Sequence, residues 1–282
     1  MITRFAPSMS GYLHIGHVLH LLYLKALSRI YTLSIELRIE DHDIIRYRNE
    51  YKVALFNDLK FLGFEWKNKP VYQSKSKVYY DLYLDQLNKI GLVYGCSCSR
   101  SEIKRRQKFK SDELVYDDYC SLKNLPLHGN TVRFRVKSKS VNFYDGLQGL
   151  QSQIPKEQCG DFSIRDRDGN YTYQFACVCD DIRQNITHVI RGKDILTSTS
   201  RQMLLFEALN YLPPKYFHHS LKLDKDNVKL SKRNNSVSIN EIINQGAHPE
   251  DIFSMALDTP QPITLDDAVE YLIKKYKDKI IS

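Results

Sequence analysis

Hydrophobic and polar positions follow two different periods along the first third of the chain. Residues 2–6 and 34–39 show the short or alternating pattern that is typical of strands. Residues 15–31, 51–62 and 76–90 carry apolar side chains three or four positions apart, which predicts three amphipathic helices. Strands that alternate with helices favour parallel βαβ units with right-handed crossovers. The pattern therefore predicts an α/β fold with a parallel sheet and flanking helices.

The middle of the chain has a different character. Residues 94–130 are rich in Cys, Lys, Arg and Asp and show little periodicity, which predicts an insertion with its own organising centre. Residues 131–136, 171–179 and 187–190 return to strand character. Residues 198–211 have helical spacing, and two prolines follow them. The central segment is thus predicted to interrupt one larger domain.

The last part of the chain begins with a predicted strand at 220–223 and a turn at Asp224–Asn227. A lysine-rich loop at 229–236 follows, and short helices are predicted from there to Ser282. This part of the chain is therefore expected to be mainly helical.

Composition narrows the class of protein. The 282 residues are 42% hydrophobic and 26% charged, which suits a folded chain with a sizeable core. No apolar run approaches the roughly 20 residues that span a bilayer, and the N-terminus lacks a basic and then apolar leader. We therefore expect a cytoplasmic protein without a membrane partner. A net charge of +8 fits a polyanionic partner and a generically basic surface equally well.

The junction between the first strand and the first helix carries a candidate phosphate site. A loop rich in Ser and Gly leads to His14-Ile15-Gly16-His17 at the helix start. Helix N-termini offer unpaired N–H groups and partial positive charge, and residues three apart share one helix face. His14 and His17 are thus candidate phosphate contacts, and Gly16 leaves space for a ligand. The alternative is two polar histidines at an ordinary helix start.

A second basic segment lies far along the chain, at Lys229-Leu230-Ser231-Lys232-Arg233. Lysines in a loop supply point charges to a triphosphate. Most runs of this kind are solvated surface charge. The segment therefore supports a nucleotide-binding site only when it is considered together with the first one.

The two segments together resemble the signatures of class I aminoacyl-tRNA synthetases. His14 to His17 is similar to the HIGH motif, and Lys229 to Arg233 is similar to the KMSKS loop. Further matches to the glutamyl/glutaminyl subgroup run in order along the chain, at Arg4-Phe5-Ala6-Pro7-Ser8, Leu37 to Asp41, Tyr171 to Asp181 and Val189 to Asp194. The resemblance implies a Rossmann-like catalytic domain. It divides the chain into a first half of the nucleotide-binding domain at 1–93, a zinc-binding insertion at 94–130, a second half at 131–217, and a KMSKS-type loop with a short helical region at 218–282.

The resemblance also implies a reaction and its residues. Glutamate would attack the α-phosphorus of ATP to give glutamyl adenylate and pyrophosphate, with Mg²⁺ travelling with ATP. The implied catalytic residues are His14, His17, Lys229 and Lys232. The implied ATP contacts are those four residues with Gly16, Leu230, Ser231 and Arg233. The implied glutamate site comprises Arg4, Phe5, Ala6, Pro7, Ser8, Glu40, Tyr173 and Arg191. Guanidinium groups suit the two carboxylates of glutamate, and a carboxylate suits its ammonium group.

The cysteines of the insertion are metal candidates. Cys96-x-Cys98 and Cys120 are about as consistent with buried free thiols as with metal ligands. The resembling family has the pattern C-x-C…Y-x-x-x-C, which adds Tyr116 as a fourth ligand and implies one Zn²⁺ per chain. The other cysteines are expected to pack in the core: Cys159, and Cys177 with Cys179 on one face of a strand.

Residues 234–282 follow the KMSKS-like loop in this sequence, and at this length we expect no anticodon-binding domain. Within the family this resembles the glutamyl-Q tRNA(Asp) synthetases, which activate glutamate without tRNA and attach it to queuosine in the anticodon of tRNA(Asp). The expected partners are therefore ATP, L-glutamate and tRNA(Asp) carrying queuosine, and the expected state is a monomer. The alternatives are a truncated glutamyl-tRNA synthetase that charges the 3′ end of tRNA(Glu), and a non-catalytic module that only binds RNA.

Overall fold

The computed structural model describes residues 1–42, 47–66, 68–107, 113–222 and 237–280. Its first sheet is parallel and has the order β1-β2-β3, with strands β1 (Ile2–Phe5), β2 (Ser34–Ile39) and β3 (Val71–Tyr72). The helices of this half are α1 (Ile15–Tyr31), α2 (Asn49–Phe61) and α3 (Lys77–Lys89). The predicted α/β fold with a parallel sheet and flanking helices is confirmed.

A second sheet continues the first. Its order is β7-β6-β10-β9, with β6 (Val141–Asp145), β7 (Gly149–Gln153), β9 (His188–Gly192) and β10 (Lys215–His219). Strand β10 is parallel to both β9 and β6, and only β7 is antiparallel to its neighbour. The backbone N–H of Thr187 donates to the carbonyl of Ile2 at 2.9 Å, which joins the start of β9 to the start of β1. The carboxyl ends of β1, β2, β9 and β10 therefore share one edge, where parallel sheets bind ligands.

The insertion packs on a third, antiparallel sheet. Its strands are β4 (Val93–Cys96), β5 (Thr131–Phe134) and β8 (Ser163–Arg165). The remaining helices are α4 (Arg100–Arg106), α5 (Pro155–Cys159), α6 (Tyr173–Arg183), α7 (Thr199–Ala208), α8 (Ile239–Asn244), α9 (Pro249–Leu257) and α10 (Leu265–Ile280). None of the helices within these described ranges has the length and apolar character that a bilayer-spanning segment needs.

Helix α1 is the centre of the larger core. Its buried Val18 and Leu22 belong to one hydrophobic cluster with Phe253 of α9 and Val269 of α10. Each such side chain contributes about 1.5–3 kcal/mol when it leaves water. The C-terminal helices therefore hold α1 in place, and with it the helix start that carries His14 and His17.

Two sequence predictions of secondary structure are wrong. Residues 171–179 were expected to form a strand, but residues from Tyr173 onward form α6, and Cys177 and Cys179 therefore do not share a strand face. Its aromatic and cysteine residues occupy every second position from 171 to 179, and this period of two imitates a strand in the sequence.

The strand expected at 220–223 is also misplaced. Residues 220–222 are not in a strand, and the strand is β10 at Lys215–His219. Two histidines inside this buried strand conceal the apolar run that would have marked it. The predicted turn at Asp224–Asn227 lies outside the described residues.

Candidate active site

A cavity of about 480 Å³ lies at the shared edge of the sheet. It collects every described residue that the sequence predicts for phosphate and glutamate binding. These residues are Arg4, Phe5, Ala6, Pro7, Ser8, His14, Gly16, His17, Glu40, Tyr173 and Arg191. They come from the ends of strands β1, β2 and β9 and from the starts of helices α1 and α6. Residues far apart in sequence therefore face one space.

The start of α1 fixes both histidines of the first motif. The Nδ1 atom of His14 accepts the backbone N–H of Gly16 at 3.1 Å, and Nδ1 of His17 accepts the backbone N–H of His14 at 3.1 Å. Because both Nδ1 atoms accept, the ring proton of each neutral imidazole is on Nε2. A Cβ atom at Gly16 would lie 3.0 Å from the His14 ring, so a larger residue there would require this ring to shift. The two rings are thus preorganised N–H donors at a helix N-terminus.

Arg4 and Glu40 belong to a buried charge network. Asp181 of α6 accepts from Nε of Arg4 at 3.1 Å and from Nη1 of Arg38 at 2.6 Å. Nη2 of Arg38 lies 3.9 Å from a carboxylate oxygen of Glu40. Burial raises the pKa of Glu40, and Arg38 acts in the opposite direction. The network holds one guanidinium and one carboxylate at the cavity wall, 36 positions apart in sequence.

Arg191 is also buried and held in place. Its Nε donates to Nε2 of His218 at 2.9 Å, its Nη1 to Gln202 at 2.7 Å, and its Nη2 to Thr199 at 2.9 Å. Gln202 is oriented in turn, because its amide nitrogen donates to Gln174 at 3.0 Å. Three acceptors leave two of the five guanidinium N–H groups for other partners.

The cavity is also lined by residues that the sequence prediction did not assign, and three of them have basic side chains: His20, His219 and Lys222. Nδ1 of His20 lies 3.1 Å from Nε2 of His219, and the ring of Tyr23 stacks on His219 at 4.6 Å. Burial lowers the pKa of His219 to about 4 and that of His20 well below its usual range. The spacing of His14, His17 and His20 along one helix face was a usable signal for His20. No such signal existed for the other two, because the sequence prediction misplaced strand β10, which ends at His219 and is followed by Lys222.

A second cavity, of about 620 Å³, adjoins the first at Tyr173, which lines both. Its walls come from the insertion and from the segment that leads into α6, and they include Cys98, Arg100, Arg133 and Arg167. The structure therefore offers a second polar space beside the predicted site of ATP and glutamate.

The predicted metal ligands are adjacent in the insertion. The sulfur atoms of Cys96, Cys98 and Cys120 lie within 4.8 Å of one another. The hydroxyl of Tyr116 is 3.2 Å from the sulfur of Cys96 and 3.8 Å from that of Cys98, and it accepts the backbone N–H of Cys120 at 3.0 Å. A tetrahedral zinc with Zn–S bonds of about 2.3 Å separates its sulfur ligands by about 3.8 Å. Three thiols and a phenol at these separations fit such an ion.

The electrostatics differ between the cysteines of this cluster. Burial raises the pKa of Cys120, but hydrogen bonds from Tyr116 and from the backbone at Ser97 outweigh it and bring the pKa to about 7, which favours a thiolate. Burial raises the pKa of Cys98, and Nη2 of Arg106, which lies 3.4 Å from its sulfur, acts in the opposite direction. The other cysteines, Cys159, Cys177 and Cys179, are buried outside the cluster, as expected for core residues.

Lys229, Leu230, Ser231, Lys232 and Arg233 lie outside the described residues. The described residues on either side of that segment are at the first cavity. Lys222 lines it, and Ser238 forms an antiparallel bridge with His14, where the N–H of Ile239 donates to the carbonyl of Leu13 at 2.8 Å.

Comparisons with known proteins agree with this geometry. Residues 1–258 match the family model described as tRNA synthetases class I (E and Q), catalytic domain. The chain is 36% identical over 271 residues to the glutamate–tRNA ligase of Sulfurihydrogenibium sp. (strain YO3AOP1), covering 89% of this chain and 56% of the relative. It is 37% identical over 264 residues to the glutamate–tRNA ligase of Buchnera aphidicola subsp. Cinara cedri (strain Cc). This match covers 90% of this chain and 55% of the relative.

A solved structure is similar over most of the chain. The glutamate tRNA ligase from Elizabethkingia meningosepticum, in complex with its amino acid, superposes with a TM-score of 0.80 at 26% identity. The match covers 96% of this chain and 64% of that one. The chain spans about half the length of the curated relatives it matches. It therefore belongs to the class I tRNA synthetases of the glutamate and glutamine type, and it matches their catalytic domain.

Proposed function

We propose that the chain activates glutamate with ATP and transfers the glutamyl group to a tRNA. An oxygen of the glutamate α-carboxylate attacks the α-phosphorus of ATP, and the bond to the β-phosphate breaks with release of pyrophosphate. An acceptor hydroxyl then attacks the acyl carbon of the adenylate, and AMP leaves. The observation that carries this proposal is one cavity with two buried arginines, a buried glutamate and a histidine-capped helix start.

The charges of the cavity complement glutamate. Arg4 and Arg191 would bind its carboxylates, and Glu40 would bind its ammonium group. Phe5, Ala6, Pro7 and Ser8 would form the backbone wall, and Tyr173 would close the opposite side. Because the arginines are already held by Asp181, Thr199 and Gln202, little ordering is required when glutamate binds.

The reaction at the α-phosphorus of ATP requires positioning of the reactants and stabilisation of charge more than a protein nucleophile. The Nε2–H groups of His14 and His17 would contact phosphate or ribose oxygens, beside Gly16. The sequence assigns Lys229 and Lys232 to the developing pyrophosphate charge, with Leu230, Ser231 and Arg233 as neighbouring ATP contacts. Mg²⁺ would enter bound to ATP.

For the acceptor, we propose queuosine in the anticodon of tRNA(Asp). Two features support this choice: the C-x-C…Y-x-x-x-C pattern of the resembling family, and the position of the Tyr116 hydroxyl among the three sulfur atoms. The second cavity, which meets the first at Tyr173, suits the approach of an acceptor nucleoside to the adenylate. A Zn²⁺ held by Cys96, Cys98, Tyr116 and Cys120 would organise the wall of that cavity and take no part in the reaction.

A second acceptor has its own support. The curated relatives that match the chain are glutamate–tRNA ligases, which favours the 3′ end of tRNA(Glu). The site for activation is the same in both cases, and only the transfer step differs.

One set of assays separates these functions. Wild-type protein is incubated with labelled glutamate and ATP, and with tRNA(Asp) with or without queuosine or with tRNA(Glu); nuclease mapping then locates the label. We expect glutamate-dependent ATP–pyrophosphate exchange without tRNA, and label in the anticodon loop only when queuosine is present. Label at the 3′ terminus of tRNA(Glu) would establish the second acceptor. Absence of exchange under every condition, with RNA still bound, would instead indicate a non-catalytic RNA-binding module.

A further inference from the structure

Arg191 is held by a hydrogen-bond chain that continues behind it, away from the cavity. Its Nε–H donates to Nε2 of His218, which is fully buried on the adjacent strand β10. Nδ1 of His218 lies 2.5 Å from a carboxylate oxygen of Asp145, which is fully buried at the end of β6. The chain thus crosses three neighbouring strands and ends at the cavity.

The chemistry of the three groups allows one arrangement of protons. A guanidinium Nε–H can only donate, so Nε2 of His218 must accept. The ring proton is then on Nδ1, where it is donated to Asp145. Asp145 is itself fixed, because its other carboxylate oxygen accepts the backbone N–H groups of Leu147, Gln148 and His218 at 3.0–3.1 Å.

We propose that Asp145 and His218 are positioning residues for glutamate: they fix the tautomer and direction of the acceptor that aims Arg191 at a carboxylate of glutamate. This inference rests on the proposed function, because it takes glutamate as the ligand of Arg191. Neither residue lines the cavity, and the hydrogen bond from Arg191 to His218 is the contact through which they would affect glutamate binding.

The replacement Asp145→Asn isolates this role because it keeps the size of the side chain. The amide oxygen of the substituted side chain can still accept the three backbone N–H groups. Its amide nitrogen, however, is a donor, so Nδ1 of His218 must become an acceptor and the ring proton must move to Nε2. Two donors then face each other at His218 and Arg191, and the guanidinium loses one of the three acceptors that orient it.

The test is calorimetric binding of L-glutamate and, separately, of ATP to wild-type protein and variants. We expect Asp145→Asn to weaken glutamate binding about tenfold or more, with ATP binding within about threefold of wild type. The matched control is Asp161→Asn. Asp161 is also a buried carboxylate that accepts a backbone N–H, from Val136 at 2.8 Å, but it lies beside the insertion. This control should leave glutamate affinity unchanged.

A second pair of variants tests the same idea at His218. Glutamine keeps a carbonyl acceptor for Arg191, whereas leucine removes it. We expect His218→Gln to retain glutamate affinity within about fivefold and His218→Leu to lose it to the extent seen for Asp145→Asn.

The outcomes distinguish the two proposals. Wild-type affinity for glutamate in Asp145→Asn, or equal losses for the glutamine and leucine replacements of His218, would overturn the positioning role and leave the proposed function intact. Parallel losses of glutamate and ATP binding in Asp145→Asn, with a lowered melting temperature, would also overturn it, because they indicate a general structural role. Failure of wild-type protein to bind glutamate at all would instead count against the proposed function.

Discussion

Asp181 and Asp58 are both buried carboxylates, but their surroundings differ. Burial raises the pKa of Asp181, yet Arg38 and Arg4 outweigh it and hold the pKa below its usual value, so the carboxylate stays charged. Asp58 of α2 has no such partner, and its Oδ2 has no hydrogen bond to any described residue. Burial alone raises the pKa of Asp58 to about 6. The Asp181 carboxylate therefore holds Arg4 in place at the cavity, whereas the buried Asp58 carboxylate lowers the stability of the protein when it is charged.

The replacement Asp58→Asn should therefore stabilise the protein in a pH-dependent way. The folded-state pKa lies above the unfolded one, so the wild type loses stability as pH rises from about 4, near the unfolded pKa, to about 6, the folded-state pKa. We expect the variant to gain about 1–2 kcal/mol of unfolding free energy at pH 8, after allowance for solvent screening, and about half of that gain at pH 5. Urea unfolding at both pH values measures the gain. Asp85→Asn, at an exposed position of α3, is the control, and an equal gain at both pH values would contradict the explanation.

At the scale of elements, the insertion differs from the rest of the fold. Its own buried cluster contains the three cysteines and Tyr116, and besides these only Tyr94 and Ile103 among the described residues. So small a core provides little stabilisation, and a structural metal commonly supplies the rest. Helix α4 adds a local contribution through a capping box between Ser99 and Glu102.

Metal analysis should therefore find about one zinc per chain, and its removal should loosen the insertion while the Rossmann-like core stays folded. We expect Cys98→Ser to lose most of the zinc. Tyr116→Phe should weaken zinc binding less, since three thiolates remain. Cys159→Ser changes a buried cysteine outside the cluster and serves as the control. A metal-free preparation with the full near-ultraviolet circular dichroism of the untreated protein would argue against the site.

At the scale of the whole molecule, segments from both halves of the sheet and from the C-terminal helices meet at one cavity. Helix α1 contributes its histidines while α9 and α10 hold it from behind. Ser238, at the start of α8, pairs with His14. The chain on either side of residues 223–236 is thus anchored at the site that the sequence assigns to the triphosphate.

That assignment predicts the behaviour of Lys232→Ala. Loss of a positive charge at the leaving pyrophosphate should lower adenylate formation by about two to three orders of magnitude, with little change in thermal stability. ATP–pyrophosphate exchange and a melting curve measure the two effects. Lys215→Ala removes an exposed lysine at the start of β10 and should leave exchange unaltered. Near-normal exchange in Lys232→Ala would refute the role.

The sequence predicted some parts of this molecule well for identifiable reasons. Helix α1 was placed at Ile15–Tyr31 because its apolar spacing is regular and its N-terminus follows a loop. The residues assigned to the site came from motifs that resemble the family, and the described ones among them line one cavity. Helix α6 was missed because its aromatic and cysteine residues occupy every second position from 171 to 179, which imitates the period of a strand.

Asp145 and His218 were missed for a different reason. They are 73 positions apart and meet only because β6 and β10 are neighbours, in a strand order that the hydrophobic pattern does not specify. Nothing in the sequence around Asp145, or around the adjacent His218 and His219, indicates that Asp145 and His218 meet. Roles that arise from contacts between distant strands require the three-dimensional structure.

The sharing of Asp181 between Arg4 and Arg38 has a consequence for redesign. One carboxylate anchors the side chains of two strands, so any replacement there alters both together and leaves neighbouring cations without a counter-ion. Arg191, by contrast, has anchors of its own on β10 and α7. An engineer who wishes to change the preferred amino acid should therefore begin at β9, where one arm of the pocket can be altered without disturbing the other.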